Sequence, residues 1–183
     1  MPEETLAMRT YIEEELAVPV RYVINTHSHP DHFQGSELFD PETVKIALHA
    51  KELEFLRGVG SELYGLFGIT VPQMNINLPL EEGNIALGEE IFKIILAPGH
   101  SPGSIGLYWP KQKALFCGDV VFQQNVGRTD FPGGNGNLLK KSIITLSQLD
   151  VEYLFPGHMG MVTGKEDIQD NFNVIIQNIF PYI

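Results

Sequence analysis

The chain has a single cysteine, Cys117, so no disulfide can form within it. A lone thiol fits a reducing compartment, and a cytoplasmic protein is expected. Positive charge is scarce too. Twelve Lys and Arg stand against 23 Asp and Glu, a formal net charge of −11. Such a balance repels phosphate backbones, so no nucleic acid is expected as a partner. No apolar run reaches spanning length and no signal-peptide pattern opens the chain, so no membrane segment is expected either. Internal repeats, low-complexity tracts and linker-like stretches are also missing. The 183 residues suffice for one domain with a substantial core.

Histidine is sparse as well, yet it is concentrated. Of six histidines, three fall with Asp31 in the stretch Thr26-His27-Ser28-His29-Pro30-Asp31-His32. Packing alone gives little reason for this crowding, because every buried imidazole needs its own hydrogen-bond partner. A cation in the middle gives one, since neutral imidazole and carboxylate are ligands for Zn²⁺ and first-row transition metals. The flanks suggest the geometry. Arg21 to Asn25 is β-branched and aromatic and reads as a strand. Pro30 keeps His29 extended and suits the first turn of a helix. Residues two apart in an extended segment point the same way, so His27 and His29 can share one metal. Asp31 and His32 lie past the turn and could serve a second. The plain alternative is a histidine-rich surface turn.

Along the chain, Pro2 to Ala17 reads as a helix with Leu6, Ile12 and Leu16 as its apolar stripe. A short helix is expected from Asp31 to Phe39, a strand from Val44 to Leu48, and a helix from Lys51 to Arg57. Gly58 to Pro72 has no clear period and reads as a loop with helical turns, either shaping a substrate pocket or simply packed. Strands are expected at Asn75–Leu80, Ile91–Leu96, Ser104–Trp109, Ala114–Cys117 and Tyr153–Phe155. Helices at Asn137–Leu149 and Lys165–Ile179 complete a mixed α/β chain whose sheets are covered by helices.

Three of these strands end alike. Each runs into a glycine turn and then one ligand-type residue: Gly99-His100, Gly118-Asp119 and Gly157-His158. Such turns let side chains converge on one edge of a sheet. With the first loop they account for five of the six histidines. The sixth, His49, follows the Val44 to Leu48 strand and reads as structural or surface.

The pattern His27-x-His29-x-Asp31-His32, then His100, Asp119 and His158, resembles the metallo-β-lactamase fold superfamily over nearly the whole chain. The resemblance implies an αβ/βα sandwich of two sheets with helices outside and metals at one edge. It also implies two divalent metal ions, zinc first, with iron or manganese able to use the same ligands. By it, His27, His29 and His100 hold one metal, Asp31, His32 and His158 the other, and Asp119 bridges them. Lactamases that bind their second zinc through cysteine do not match Asp119. Cys117, two residues earlier, reads as a buried strand residue.

Such metals lower the pKa of bound water to roughly 7 and polarise a carbonyl. Asp31 would orient the water or pass a proton to the leaving group. A small-molecule ester-like substrate is therefore expected. The segment Gly127-Arg128-Thr129-Asp130-Phe131-Pro132-Gly133-Gly134 is similar to that of small hydroxyacylglutathione hydrolases, the glyoxalase II-like enzymes. It is equally similar to that of persulfide dioxygenases, for which the resemblance implies one iron on His27, His100 and Asp119, or on His29. Arg128 could clamp a substrate carboxylate, or could pair with Asp130 and only fix its loop.

Two departures bear on substrate and assembly. Full glyoxalase II enzymes carry a C-terminal helical region that helps to bind glutathione, whereas one helix follows His158 here. Family members also usually begin with several strands before the first helix. Without them a sheet would keep an exposed apolar edge. Either those strands lie upstream of Met1 or another chain covers the edge, as in a homo-oligomer or a pairing of a non-catalytic subunit with its partner.

Overall fold

The structure is a computed structural model and describes residues 2–183. Its first element is α1 (Pro2–Thr10), which passes into a π-helical stretch over Tyr11–Glu15. Then come β1 (Tyr22–Ile24), α2 (Pro30–Phe33), a 3-10 turn over Gln34–Leu38, β2 (Lys45–His49), α3 (Ala50–Arg57) and α4 (Gly60–Leu66). The β-rich middle comprises β3 (Leu78–Leu80), β4 (Gly83–Leu87), β5 (Glu90–Leu96), β6 (Ile105–Trp109), β7 (Ala114–Gly118), β8 (Val121–Phe122) and β9 (Asn125–Val126). The chain finishes with α5 (Gly136–Ser147), β10 (Tyr153–Pro156), β11 (Val162–Thr163) and α6 (Lys165–Asn178).

The strands form two main sheets. One holds three parallel strands in the order β1-β2-β3, the other six in the order β11-β10-β7-β6-β5-β4, and β8 and β9 make a small hairpin. Side-chain alternation explains the layering. Ala47 of the small sheet and Ile94, Ile105 and Leu107 of the large one meet in one apolar cluster, which is the interior between the sheets. The adjacent residues point outwards. Ile95, Tyr108 and Leu115 join Leu139, Ile143 and Leu146 of α5 and Ile168, Phe172 and Ile175 of α6. On the opposite outer face, Leu48 packs with Phe33, Leu56 and Tyr64. The result is the expected αβ/βα sandwich, and no helix among the described residues is long and apolar enough to cross a membrane.

Several expectations need correction. The first helix is shorter than Pro2–Ala17 as a regular α-helix, and Ala17 breaks it with a left-handed φ of 52°. Its supposed stripe does not form a buried face. No α1 residue is buried, and Leu6 and Leu16 are about half exposed. The helix is held instead by Arg9, which donates to Leu38 O at 2.6 Å and lies 5.4 Å over the Phe39 ring. The glycine-rich stretch after Arg57 contains a regular helix, α4, where a loop with short helical turns was expected. Strand β3 starts three residues later than expected, and β4, β8, β9 and β11 had no strand signal.

The helix-covered face of the large sheet should dominate stability. Ile143→Ala removes a fully buried side chain and should cost roughly 2–5 kcal/mol. The neighbouring Ile144→Ala, at an exposed position, should stay within about 0.5 kcal/mol. Urea denaturation midpoints test the pair, and equal effects would contradict this burial.

Candidate metal centre

Strand direction brings the candidate ligands together. In the large sheet β5 and β7 are both antiparallel to β6, and β10 is parallel to β7. All three therefore end at the same edge, where His100, Asp119 and His158 follow them. In the small sheet β1 delivers the first loop. Asn25 fixes that loop, donating to Ala47 O at 3.1 Å and accepting from Ser36 Oγ at 2.8 Å. His29 is extended, with φ −63° and ψ 149°, and Pro30 opens α2. Asp31 and His32 thus sit in a first helical turn, as Pro30 implied.

The structure brings all seven candidate residues into one cluster. His27, His29 and His100 form one triad, Asp31, His32 and His158 another, and His27, His32 and Asp119 a third between them. Within each triad the ligand atoms lie within 4.8 Å of one another. Asp119 Oδ2 lies 3.5 Å from His100 Nε2 and 3.5 Å from His158 Nε2, so one carboxylate oxygen touches both outer triads. Asp31 Oδ2 is 3.1 Å from His158 Nε2 and 3.4 Å from His32 Nε2.

A fit test for metal comes from the hydrogen-bond inventory. His27 Nε2, His29 Nε2, His100 Nε2 and Asp119 Oδ1 are buried with no hydrogen-bond partner. Buried polar atoms are nearly always paired, and an orphan costs about 1–3 kcal/mol. Four orphans pointing into one small space fit a cation. The imidazole of His100 is oriented for it. Its Nδ1 is 2.8 Å from Arg128 O, which can only accept, so Nδ1 carries the proton and Nε2 keeps its lone pair.

The two outer triads differ electrostatically. Burial, helped by the neighbouring imidazoles, pulls His27 well below its ordinary pKa of 6.5 and His29 down to about 3. Burial also lowers His100, against the opposing pull of Asp119. This triad is therefore neutral and ready to coordinate at pH 7. His32 behaves oppositely. Burial pulls its pKa down, but the carboxylates of Asp119 and Asp31 outweigh that and raise it to about 9. Burial pushes the Asp31 carboxyl up, yet the hydrogen bond and charge of His32 hold it below the usual carboxylate range.

Two features of the site had no clear signal in the sequence. The first is Glu52 of α3, a fully buried carboxylate. Its Oε1 accepts from Ser28 N and Ser28 Oγ, both at 2.8 Å. Its Oε2 accepts from Ser101 Oγ at 2.8 Å and Gly103 N at 2.7 Å. Glu52 thereby ties the loop of His27 and His29 to the loop of His100. The second is close backbone approach. A Cβ on Gly127 would collide with the Asp119 backbone and lie 2.8 Å from His100 Nδ1; one on Gly157 would collide with Asp119 Oδ1 and lie 2.7 Å from His32 Cε1.

The remaining candidates divide. The Arg128 side chain makes a bidentate pair with Asp130, Nε to Oδ1 at 2.7 Å and Nη2 to Oδ2 at 2.6 Å. Of its two expected readings, the structure shows the loop-fixing pair. His49 is structural: it is buried at the end of β2 and accepts from Lys51 N at 3.2 Å, capping α3. Cys117 is fully buried, which pushes its thiol up to about 12. Above the cluster opens a cavity of about 660 Å³.

Two outcomes follow. Zinc at His32 should release a proton at pH 7, because the carboxylates of Asp119 and Asp31 raise that imidazole, whereas the His27 triad carries none. In zinc titrations by calorimetry, binding at the Asp31, His32 and His158 triad should weaken as the pH falls from 9 to 7, while binding at the His27 triad changes little. Equal pH dependence of both sites would contradict the assignment. Separately, Glu52→Gln places an amide NH₂ against donors and should destabilise the protein by about 3 kcal/mol in urea melts. An unchanged melt would deny Glu52 its tying role.

With this geometry in view, comparison with known proteins is informative. The metallo-beta-lactamase superfamily model matches residues 3–158. The hydroxyacylglutathione hydrolase GloC of Haemophilus influenzae is 34% identical over 166 residues, covering 86% of this chain and 77% of its own. The probable metallo-hydrolase YqgX of Bacillus subtilis is 32% identical over 136 residues, covering 73% of this chain. The chain spans 64% of that relative's length. The crystal structure of the BLEG-1 B3 metallo-beta-lactamase superposes with a TM-score of 0.79 at 31% identity, covering 91% of this chain and 81% of its own. The chain belongs to the metallo-beta-lactamase superfamily.

Proposed function

We propose that the chain is a hydrolase that uses two divalent metal ions, zinc first, to cleave a thioester or a related ester or lactone. The observation that carries this reading is the set of orphaned buried ligand atoms at the floor of an open cavity. His27, His29 and His100 would hold one metal, Asp31, His32 and His158 the other, with Asp119 between them. The similarity to a hydroxyacylglutathione hydrolase supports a thioester as the scissile bond.

Bound there, the metals would polarise the substrate carbonyl and acidify a water to a nucleophile near neutral pH. The chain's own residues supply position and proton handling. The Arg128 carbonyl keeps His100 turned inward. Glu52 holds the two ligand loops at a fixed separation. The Asp31 carboxylate is half exposed at the cavity wall and ionised at neutral pH, so it can orient the water, accept the proton the water gives up, and hand that proton on to the leaving thiolate.

Purified, metal-loaded protein should hydrolyse members of a panel of thioesters, esters and lactones, and a chelator should abolish the activity. Asp31→Asn should lower kcat by about 10²–10⁴-fold. A fully metal-loaded protein inactive on the whole panel would overturn the reading. Oxygen uptake with glutathione persulfide by a one-iron form would point to the dioxygenase chemistry instead.

A further inference from the structure

Away from the ligands, the cavity wall is almost wholly apolar. Leu63, Phe67, Ile69, Phe122, Val126 and Phe131 supply most of it, and Gln34 and Arg128 are its polar members. The aromatic rings stand against both outer triads. Phe131 meets the His29 ring edge-on at 5.8 Å, and Phe122 meets the His158 ring at 5.9 Å. Phe67 extends the same wall outward, 6.1 Å from Phe131 and more than half exposed. Any substrate whose carbonyl reaches the metals must lay its remainder against these rings.

The wall offers little to an anion. Arg128 is its one Lys or Arg among the described lining residues, and both arms of its bidentate pair go to Asp130. The guanidinium also lies over the Phe131 ring, 3.7 Å from its centroid, which ties it to the wall. A substrate carboxylate seeking a bidentate clamp on Nε and Nη2 would have to displace Asp130, and would approach a chain of formal net charge −11.

We infer that the site accepts uncharged substrates with an extended apolar acyl group, seated on Phe67, Phe122 and Phe131, in preference to thioesters of the anionic peptide glutathione. This rests on the hydrolase reading for the bond that is cleaved, while the pocket wall carries the ligand class. Asp130 is then a specificity-determining residue, because it takes the bidentate Nε–Nη2 face of the arginine in the wall that could clamp a carboxylate.

Two non-hydrolysable thioethers test the inference by calorimetry on the metal-loaded protein: S-hexyl-N-acetylcysteamine, which is neutral, and S-hexylglutathione, which is anionic. They share sulfur and hexyl chain, so any contact of sulfur with metal is common to both. The neutral ligand should bind at least threefold more tightly. Shortening its hexyl group to ethyl should weaken binding by up to about fourfold per methylene, and Phe67→Ala, at an exposed position, should flatten that dependence. Asp130→Ala should tighten S-hexylglutathione several-fold and leave the neutral ligand unchanged. Tighter binding of S-hexylglutathione by the unaltered protein, or no dependence on chain length, would overturn the inference. Hydrolysis of the matching hexanoyl thioesters is read in parallel. If the thioethers bind in the expected order and neither thioester is cleaved, the hydrolase reading fails while the ligand class stands. If both thioesters are cleaved and the glutathione ester is preferred, the hydrolase reading stands and the ligand class fails.

Discussion

The structure depends on a local electrostatic debt. Three imidazole nitrogens and one carboxylate oxygen are buried with no hydrogen-bond partner, whereas the other buried side-chain nitrogens and oxygens of the described residues are paired. The Glu52 carboxylate, equally buried, has four donors around it. The contrast is informative. The fold provides hydrogen bonds where a charge is only structural, and withholds them where lone pairs face a shared space. A divalent cation among His27, His29 and His100 would satisfy the three imidazole orphans. The imidazoles also titrate oppositely: burial keeps His27, His29 and His100 neutral, whereas the carboxylates of Asp119 and Asp31 raise His32.

The scaffold serves this convergence. Strands running in one direction deliver His100, Asp119 and His158 to one sheet edge, and β1 delivers the first loop from the other sheet. Glu52 links the two loops across the sandwich, so the ligand positions are set by hydrogen bonds as well as by strand ends. Two glycines, 127 and 157, let backbone pass where a side chain would strike the ligands. An apolar wall lines the cavity over the cluster. Its one arginine is engaged twice over, by Asp130 at one end and by the Phe131 ring beneath.

Much of this was legible in the sequence, for specific reasons. The seven candidate ligands stand out because histidine is rare here and clusters after short β-branched strands, and the structure brings them together. A mixed α/β class with helix-covered sheets followed from strands separated by glycine and proline turns, and the sandwich itself from the family resemblance. The failures also have physical causes. Helix α4 carries Gly60 and Gly65 with glycines on either side, so its propensity is low and tertiary packing of Leu63 and Tyr64 decides its form. Strands of two residues, such as β8 and β11, are too short to show alternation. Glu52 looked like any acidic helix residue, because its partners lie 24, 49 and 51 positions away. Arg128 drew attention for its charge, whereas the site uses its backbone carbonyl. The exposed face of α1 shows the limit of periodicity: an apolar stripe marks a face able to be buried, not one that is.

Anomalous X-ray diffraction from crystals of protein purified without chelator, measured at the zinc, iron and manganese edges, tests the central claim most directly. The account predicts two peaks, one among His27, His29 and His100 and one among Asp31, His32 and His158, with the Asp119 carboxylate between them. No peak at the cluster, or a single peak that stays single after metal loading at pH 9, would contradict it.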